Sequence, residues 1–379
     1  MTRKILTLHK VIYRNQCLPR LYMPRREGGL GLSEVNHQHR ATMVSIGQYL
    51  RSSLSPNMAM VREHHATRAS KNTSLTKLAQ HFGQDCLVEE QETENTPATR
   101  IARKSRTKFS RKFQNTNLAE WAEHQRAKFF LQELSKDYID KESSLNWLTK
   151  GTLHFDQERL IMAAQDQAIM TKAFKKMAGL TNNNKCRFCH TEIESVSHLI
   201  SSCQTLLADG YYTARHDEVC KYLHWTICKS LNIKCSSKVW EHHPEKITGN
   251  ETHTIYYDQV IPTATYLDNS AVKPDLVIWS RVEKVAIIIE VSIPHDSGLN
   301  RAEREKVTKY QGLMYDIKRN WKLKNTYIVP VIAGATGLQK KNLKDHLSKI
   351  PGNPRATEIQ TIALKGTTTI LKRTLGCSF

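Results

Sequence analysis

The stretch that decides the fold covers residues 273–293 and reads Lys-Pro-Asp-Leu-Val-Ile-Trp-Ser-Arg-Val-Glu-Lys-Val-Ala-Ile-Ile-Ile-Glu-Val-Ser-Ile. It contains two apolar, β-branched runs, at 275–279 and 285–293, with a short polar turn between them. Runs of this kind, bounded by turn residues, predict two strands paired as a hairpin. Each strand carries one acid, because Asp275 opens the first and Glu290 lies near the end of the second.

These two acids are the first candidates for chemistry. A tight hairpin makes the two strands neighbours, so the carboxylates of Asp275 and Glu290 are expected to converge. A carboxylate inside a strand as apolar as 287–291 is costly unless it is paired or bound to a metal. Two converging carboxylates suit Mg²⁺, which takes one or two carboxylates and keeps waters and phosphate oxygens. A salt bridge at the end of a sheet is the alternative.

The residues after the hairpin extend the pattern. A helical period runs over 301–321, and a third apolar run follows at 327–333. The order hairpin, helix, strand predicts an α/β layer. At about 100° per residue, Lys306 falls inside the apolar stripe of this helix and Lys309 falls at its edge. A lysine on a buried face needs a negative partner, and Asp, Glu and Lys around one metal form a site that cleaves phosphodiesters.

A Cys/His module lies upstream, with the spacing Cys186-x2-Cys189-x8-His198-x4-Cys203. A helix from about Val196 presents the last two side chains on one side, and a CxxC turn presents two thiolates to one ion. Four ligands close a tetrahedral site, which predicts structural rather than catalytic zinc. Buried free cysteines beside a surface histidine are the alternative.

Composition narrows the class of protein. The 379 residues include 56 Lys and Arg against 36 Asp and Glu, a formal charge of +20, which indicates a polyanionic partner, nucleic acid first. No apolar run approaches the roughly 20 residues of a membrane span, and the basic N-terminus has no apolar core of a signal peptide. The glycines at 28, 29 and 31 follow no strong strand and precede no P-loop lysine, which argues against a nucleotide-binding metabolic enzyme. We interpret them as a surface turn.

The most basic segment spans residues 100–112, where seven of thirteen residues are Lys or Arg. It is either a solvated face or a contact for phosphates, and both interpretations stay open. The residues we assign to a nucleic-acid contact are Arg103, Lys104, Arg106 and Lys108. Helical periods cover 119–134 and 157–177. The aromatic residues expected in the core are Trp121, Phe129, Phe130 and Trp147.

Four regions separate by composition: 1–50, a polar helical region 51–180, the Cys/His module 185–204, and a strand-containing region 205–379. The predicted class is α+β overall, with a helical N-terminal half. Together with the motifs above, the chain resembles the C-terminal part of the polyprotein of non-LTR retrotransposons of the restriction-like-endonuclease type, the Dong-like and ribosomal-gene-inserting group. The patches that carry the resemblance are short but are distributed along nearly the whole chain. They are residues 20–32, 163–168, 186–203, 212–217, 273–275, Glu290 and 306–310.

The resemblance implies a PD-(D/E)xK nuclease domain at 205–379, a CCHC zinc knuckle, a basic linker at 51–180 and a thumb-like remnant at 1–50. It implies magnesium at Asp275 and Glu290, and it assigns the remaining catalytic positions to Lys306, Lys309 and Tyr310. It raises Arg215 and His216 to nucleic-acid contacts near the cleft. The implied activity is nicking of target duplex DNA in the nucleus, so that the 3′ end primes reverse transcription of the element RNA.

Two departures from the family pattern matter. Ser292 stands where most PD-(D/E)xK nucleases have lysine, two residues past the second acid. This retrotransposon family supplies the lysine from the helix instead, which agrees with Lys306. The chain also has no adjacent aspartates, which a reverse transcriptase needs for its metals. We therefore expect a piece of an element without polymerase activity, with an inactive or domesticated zinc-containing nucleic-acid-binding remnant as the alternative.

Overall fold

The structure is a computed structural model that describes residues 2–67, 74–88, 96–261 and 272–375. The chain divides into two compact units. The helical unit is Cys17–Gln125, and the sheet unit combines Met1–Gln16 with Arg126–Phe379. This division cuts the second predicted region between Gln125 and Arg126 and does not follow the four composition boundaries, which stay predictions.

Helices account for most of the described residues, and one mixed sheet completes an α+β fold. The helices of the helical unit are α2 (Leu18–Tyr22), α3 (Val35–Ser52), α4 (Pro56–Thr67), α5 (Leu75–Gly83) and α6 (Ala98–Glu123). The helices of the sheet unit are α1 (Thr2–Leu8), α7 (Lys128–Leu134), α8 (Lys141–Lys150), α9 (Phe155–Gln165), α10 (Lys172–Met177), α11 (Val196–Ser201), α12 (Gln204–Ala208), α13 (Tyr211–Ser230), α14 (Leu299–Asn320), α15 (Leu343–Ser348) and α16 (Ala356–Leu375). Within the described ranges, no helix is both long and apolar enough to cross a membrane.

The sheet contains five strands in the order of the chain. They are β1 (Ile247–Gly249), β2 (His253–Tyr257), β3 (Leu276–Ser280), β4 (Val285–Ser292) and β5 (Asn325–Ile332). The first four pair antiparallel, and β5 pairs parallel with β4 after the α14 crossover. The predicted hairpin, helix and third strand are confirmed as β3, β4, α14 and β5. We did not predict β1 and β2, which extend the sheet beyond β3.

The two faces of the sheet pack against different helices, because alternate residues of a strand point to opposite sides. Ile289 and Val291 of β4 join a core with helices α13 and α16. Ala286 and Ile288 join a second core with Tyr310, Leu313 and Ile317 of α14. The stripe predicted on α14 is therefore its buried face. Even-numbered positions of β4, which include Glu290, point toward α14.

Two predicted helical periods are interrupted. The first, over 119–134, falls into two segments, because α6 ends at Glu123 and α7 begins at Lys128. The second, over 157–177, breaks after α9, where Gln167 has a φ of 53° that no α-helix contains. Thr171 then caps α10 by accepting the Phe174 N–H.

Three of the four aromatic residues expected in the core are buried, namely Trp121, Phe130 and Trp147. Phe129 is the exception, since 54% of it is exposed. It lies one position from the buried Phe130 on α7, so the two rings leave the helix about 100° apart.

The glycine-rich stretch of the helical unit is not the surface turn that we expected. Arg20 is fully buried, donates from Nε to the Gly28 carbonyl at 2.8 Å and stacks 4.8 Å from the ring centre of Trp121. A Cβ on Gly29 would lie 2.1 Å from the Met23 carbonyl oxygen, so no larger residue fits there. Gly28 and Gly31 have positive φ angles of 92° and 69°. The turn wraps a buried arginine, which the sequence pattern does not reveal.

Candidate active site and metal centre

The two predicted acids lie side by side at one end of the sheet. The register pairs Leu276 with Ile289, so one step further sets Asp275 opposite Glu290. The Asp275 N–H donates to Glu290 Oε1 at 3.0 Å, and the Val291 N–H donates to Asp275 Oδ2 at 2.8 Å. These backbone contacts fix both carboxylates. The structure thus brings together the two residues that the hairpin predicted.

Lys306 reaches the acids from α14. Its Nζ lies 2.8 Å from Glu290 Oε2 and 4.0 Å from Asp275 Oδ2. Glu290 is fully buried, whereas about a quarter of the Lys306 side chain is exposed (26%). The predicted partner of the lysine in the apolar stripe is therefore Glu290 first, with Asp275 at the limit of an ion pair.

The two carboxyls differ in acidity. Burial and the negative charge of Asp275 raise the pKa of Glu290 to about 7, although Lys306 opposes both effects. Burial also acts to raise the pKa of Asp275, but the hydrogen bond and charge of His216, with the charge of Lys306, bring it below its ordinary value. Acid pairs whose environments separate their pKa values are common in active sites.

His216 of α13 bridges the site to a third carboxylate. Its Nε2 lies 3.1 Å from Asp275 Oδ2, and its Nδ1 lies 3.0 Å from Asp217 Oδ1. Burial acts to lower the pKa of His216, but the two carboxylates outweigh it and raise this pKa to about 12. Both ring nitrogens therefore donate at neutral pH. His216, predicted as a nucleic-acid contact, is held within the acid cluster, with 28% of its side chain exposed.

Arg215, the other contact predicted on this helix, lies in the interior. It is 4% exposed, and its guanidinium donates to Thr367 Oγ1 at 2.9 Å and to the Ile293 carbonyl at 3.1 Å. Burial lowers its pKa to about 10. Arg215 nevertheless is among the residues that line the cleft beside the acids, so its role as a nucleic-acid contact stays a prediction. Its hydrogen bonds tie α13 to α16 and to the residue after β4.

The remaining predicted catalytic residues, Tyr310 and Lys309, differ in their relation to the acids, since Tyr310 is influenced by Glu290 and Lys309 is not paired with either acid. Tyr310 is buried and donates its hydroxyl to the Lys273 carbonyl at 2.9 Å, which fixes the segment just before Asp275. Burial and the nearby Glu290 raise the pKa of Tyr310. Lys309 is exposed, and its Nζ lies 5.0 Å from the centre of the Tyr310 ring. Of the two helix lysines, only Lys306 is paired with the acids.

A cleft of about 350 Å³ opens beside this array. It is bordered by the Cys/His module, by α13 and by the end of β4, and Lys306, His216 and Ser292 line it. Arg215 also lines the cleft, so a phosphate group that enters it would meet three cationic side chains, two of which, Lys306 and His216, contact the acids.

The four residues of the predicted zinc module come together. Their ligand atoms all lie within 4.8 Å of one another, a cluster that could hold a metal ion. Cys186 Sγ lies 3.9 Å from Cys203 Sγ, and Cys189 Sγ lies 3.4 Å from His198 Nε2. Around a tetrahedral zinc with ordinary bond lengths, those separations would be about 3.8 Å and about 3.6 Å. The cluster is compatible with zinc.

The surrounding residues fasten this module to the sheet unit. Glu194 is fully buried and accepts from Arg187 Nη2 at 2.7 Å and from the Lys172 N–H at 2.8 Å. Arg187 Nη1 donates to the Thr374 carbonyl of α16 at 2.6 Å. The Tyr212 hydroxyl of α13 donates to the Leu199 carbonyl and accepts from the Cys203 N–H. The module is therefore an integral part of the sheet unit rather than a separate small domain.

The basic residues of the helical unit that we assigned to a nucleic-acid contact lie along α6. Arg103, Lys104, Arg106 and Lys108 are all exposed, while Ile101, Ala102 and Ser105 face the interior of that unit. Lys112 is paired with Asp85 at 2.6 Å. The run predicted to be either a solvated face or a phosphate contact is thus an exposed helical face, which is compatible with both interpretations.

Sequence reasoning missed two roles. The bridge of His216 to Asp275 joins residues 59 positions apart, and no local period predicts such a contact. The ion pair of the partly exposed Arg187 with the buried Glu194 also escaped notice, although opposite charges inside a four-ligand module were the available signal.

The chain matches no protein-family model, and a search of the curated proteins finds no match. The function has to be inferred from the site itself.

Proposed function

We propose that this protein is a metal-dependent DNA endonuclease that nicks duplex DNA. The observation that carries the proposal is the array Asp275, Glu290 and Lys306 at one end of a mixed sheet, beside a cleft with room for a phosphate. A PD-(D/E)xK nuclease presents the same three chemical groups on a hairpin, and here the lysine comes from the following helix.

The donor set fits magnesium, since Asp275 and Glu290 offer hard carboxylate oxygens next to an open cleft. Bound magnesium would supply Lewis-acid polarisation of a phosphate and a more acidic water. The protein's own groups do the rest. Lys306 places positive charge beside the acids, where it offsets the charge of a reacting phosphate. The imidazolium of His216, braced by Asp217, holds the Asp275 carboxylate in place.

The Cys/His cluster is proposed as a structural zinc site. All four tetrahedral positions are filled by Cys186, Cys189, His198 and Cys203, which leaves none for a substrate. The module borders the cleft, so an ordered knuckle also defines one wall of the proposed active site.

The proposed biological role follows the resemblance to retrotransposon polyproteins. Nicking of target DNA in the nucleus would provide a 3′ end for reverse transcription of the element RNA by a polymerase with its own acidic metal site. The net charge of +20 supports a polyanionic partner. The exposed cations of α6 are the proposed contact for DNA or RNA phosphates.

Incubation with supercoiled plasmid and Mg²⁺ tests the activity. Wild-type protein should produce nicked circles, and Asp275→Ala, Glu290→Ala and Lys306→Ala should each reduce the rate by about 100-fold or more while DNA binding persists. Lys309→Ala is the matched control, because Lys309 is exposed on the same helix and should cost much less. Equal nicking by Asp275→Ala would refute the site.

A second candidate is a zinc-containing nucleic-acid-binding module that does not cleave. It is favoured by one observation: both oxygens of Glu290 already accept from protein donors, Asp275 N–H and Lys306 Nζ. A closed ion pair of this kind is self-sufficient without a metal. Protein that binds DNA but never nicks it with Mg²⁺ or Mn²⁺ would establish this candidate.

A further inference from the structure

A second cluster of metal-ligating side chains includes Asp275. It consists of His216, Cys220 and Asp275, whose ligand atoms all lie within 4.8 Å of one another. His216 and Cys220 are four residues apart on α13, so they occupy the same face of the helix. Asp275 comes from the start of β3. Neither the zinc module nor the nuclease array uses Cys220.

Two of the three ligand separations are close to those around a tetrahedral ion. His216 Nε2 lies 3.1 Å from Asp275 Oδ2, and Cys220 Sγ lies 3.8 Å from His216 Nε2. Around a zinc-like ion with ordinary bond lengths, a nitrogen and an oxygen are about 3.3 Å apart, and a sulfur and a nitrogen about 3.6 Å. Cys220 Sγ lies equally far, 3.8 Å, from His216 Nδ1, so its side chain would have to turn toward Nε2 for all three atoms to share one ion.

The other ring nitrogen of His216 is oriented as it is in metal sites. A histidine that binds a metal usually donates its second N–H to a carboxylate, which fixes the ring and makes the ligand more basic. His216 Nδ1 lies 3.0 Å from Asp217 Oδ1. With Nδ1 held by Asp217, Nε2 is the nitrogen that faces Asp275 and the cleft.

We propose that His216, Cys220 and Asp275 form a second metal site, selective for zinc-class ions that prefer thiolate and imidazole over oxygen. The ion replaces the proton between His216 and Asp275, and the Cys220 thiol releases its proton to solvent so that its thiolate becomes the third ligand. Cys220 is 1% exposed, so the ion reaches it from the cleft side, where His216 is partly open. The fourth position stays free for water or a phosphate oxygen.

Sharing Asp275 has a consequence that rests on the proposed nuclease function. A zinc-class ion at this site would occupy a carboxylate that magnesium needs, so the two ions compete. Magnesium does not favour thiolate, so it gains nothing from Cys220. The site would therefore make the proposed nuclease sensitive to zinc while Mg²⁺ is in excess.

Cobalt titration of the full chain tests the site without any need for activity. Thiolate-to-cobalt charge-transfer absorption reports how many thiolates each ion contacts. Wild-type protein should bind about two Co²⁺ per chain, one with three thiolates at the Cys/His module and one with a single thiolate. Cys220→Ser should lose only the one-thiolate ion, and Cys189→Ser should alter only the three-thiolate ion.

The cobalt signal of the module is the internal reference for metal loading in Cys220→Ser, and cooperative urea unfolding shows whether the variant is folded. If Cys220→Ser does not fold, His216→Gln serves instead, since this side chain is partly exposed and its loss should also remove the second ion. Two cobalt ions retained in either folded variant would overturn the site. So would wild-type protein that binds cobalt only at the module.

Plasmid nicking provides the second arm. In excess Mg²⁺, added Zn²⁺ should inhibit wild-type protein, and Cys220→Ser should nick at the wild-type rate and resist that inhibition. Equal inhibition of both proteins would refute the competition. If wild-type protein does not nick at all, the proposed function fails, and the cobalt titration alone decides whether the metal site exists.

Discussion

The side chain that most constrains this molecule is Glu290, a fully buried acid between apolar neighbours on β4. Lys306 is its cationic partner at 2.8 Å, and Asp275 adds a backbone N–H. Removal of one member of such a buried ion pair lowers the free energy of unfolding by more than the intact pair contributes to it, because the other member is left charged and unpaired in the interior. Lys306 is therefore important for the stability of the fold as well as for the proposed chemistry.

We expect Lys306→Met to lower the free energy of unfolding by roughly 1–3 kcal/mol at pH 8, because Glu290 loses its partner. The loss should shrink at pH 5, where Glu290, whose pKa is already raised to about 7, becomes protonated and needs no cation. Urea unfolding at both pH values measures this. Lys309→Met, on the exposed side of the same helix, should change stability little at either pH.

A histidine pair gives a second test of single side chains. His224 Nδ1 lies 2.8 Å from His242 Nε2, and both residues are buried. Burial and the neighbouring His242 lower the pKa of His224 to about 4. Between pH 6.5 and pH 4, His224 is therefore protonated in the unfolded chain but stays neutral in the folded chain. The free energy of unfolding consequently falls as the pH drops through this range.

The shifted pKa of His224 should lower the free energy of unfolding by about 3 kcal/mol between pH 6.5 and pH 4, since each pKa unit corresponds to about 1.36 kcal/mol. His224→Leu should flatten the dependence of unfolding free energy on pH, as measured by urea unfolding from pH 4 to pH 7. His243→Leu is the control, because that imidazole is exposed. An unchanged slope in His224→Leu would show that this pair does not resist protonation.

Among the elements, the Cys/His module is the one whose fold we expect to depend most on a bound ion. Residues 185–204 contain one two-turn helix, α11, and the four side chains that could hold an ion. A segment this short has little core of its own, so a metal would supply much of its folding energy. The contacts of Arg187, Glu194 and Tyr212 anchor it to helices on either side.

We predict that Cys189→Ser lowers the zinc content by about one ion per chain and speeds amide hydrogen exchange within residues 185–204. The effect should extend weakly to Tyr212, which accepts the Cys203 N–H, and should not reach the far end of the sheet. Metal analysis and hydrogen-exchange mass spectrometry provide the measurements. Wild-type protein that contains no zinc, although prepared without chelator, would remove zinc from the module.

The elements also show what the sequence can and cannot predict. The strands β3, β4 and β5 follow from runs of β-branched residues, and the Glu290–Lys306 contact follows from helical periodicity. Strand β1 has only three residues and gives no recognisable pattern, whereas β2 contains Thr254, Ile255, Tyr256 and Tyr257, a short strand-favouring run that we overlooked. The contact of His216 with Asp275 depends on how α13 crosses the sheet, which no local pattern encodes.

At the scale of the whole molecule, charge is the dominant property. The excess of twenty cations is spread over both units, but α6 holds four on one exposed stretch, Arg103, Lys104, Arg106 and Lys108. If these residues contact phosphates, each contact releases counterions and steepens the dependence of affinity on salt. If they form only a solvated face, their loss changes the affinity little.

Replacement of these four residues by Gln should reduce the slope of log affinity against log salt by up to about 3–4 on duplex DNA. A matched control replaces four exposed lysines near the opposite end of β4 from Glu290, namely Lys284, Lys318, Lys322 and Lys324. Both variants lose the same net charge, so only a local contact distinguishes them. Fluorescence anisotropy over a salt series measures the slopes. Equal slopes for the two variants would mean that the basic residues of α6 form only a solvated face.

The lysine beside the acids is contributed by α14 and not by β4. We therefore expect that a lysine placed on β4 could substitute for it. Ser292 lies two residues after Glu290, so it faces the same side of the strand, and it lines the same cleft as Lys306. A lysine grafted there would approach the acids along the strand. In the Lys306→Ala background, Ser292→Lys should therefore recover part of the plasmid nicking that the first change removes, whereas Ser292→Gln should not. The ammonium group could then be supplied from either position 306 or position 292. Its position in space, rather than its position in the sequence, would define the site.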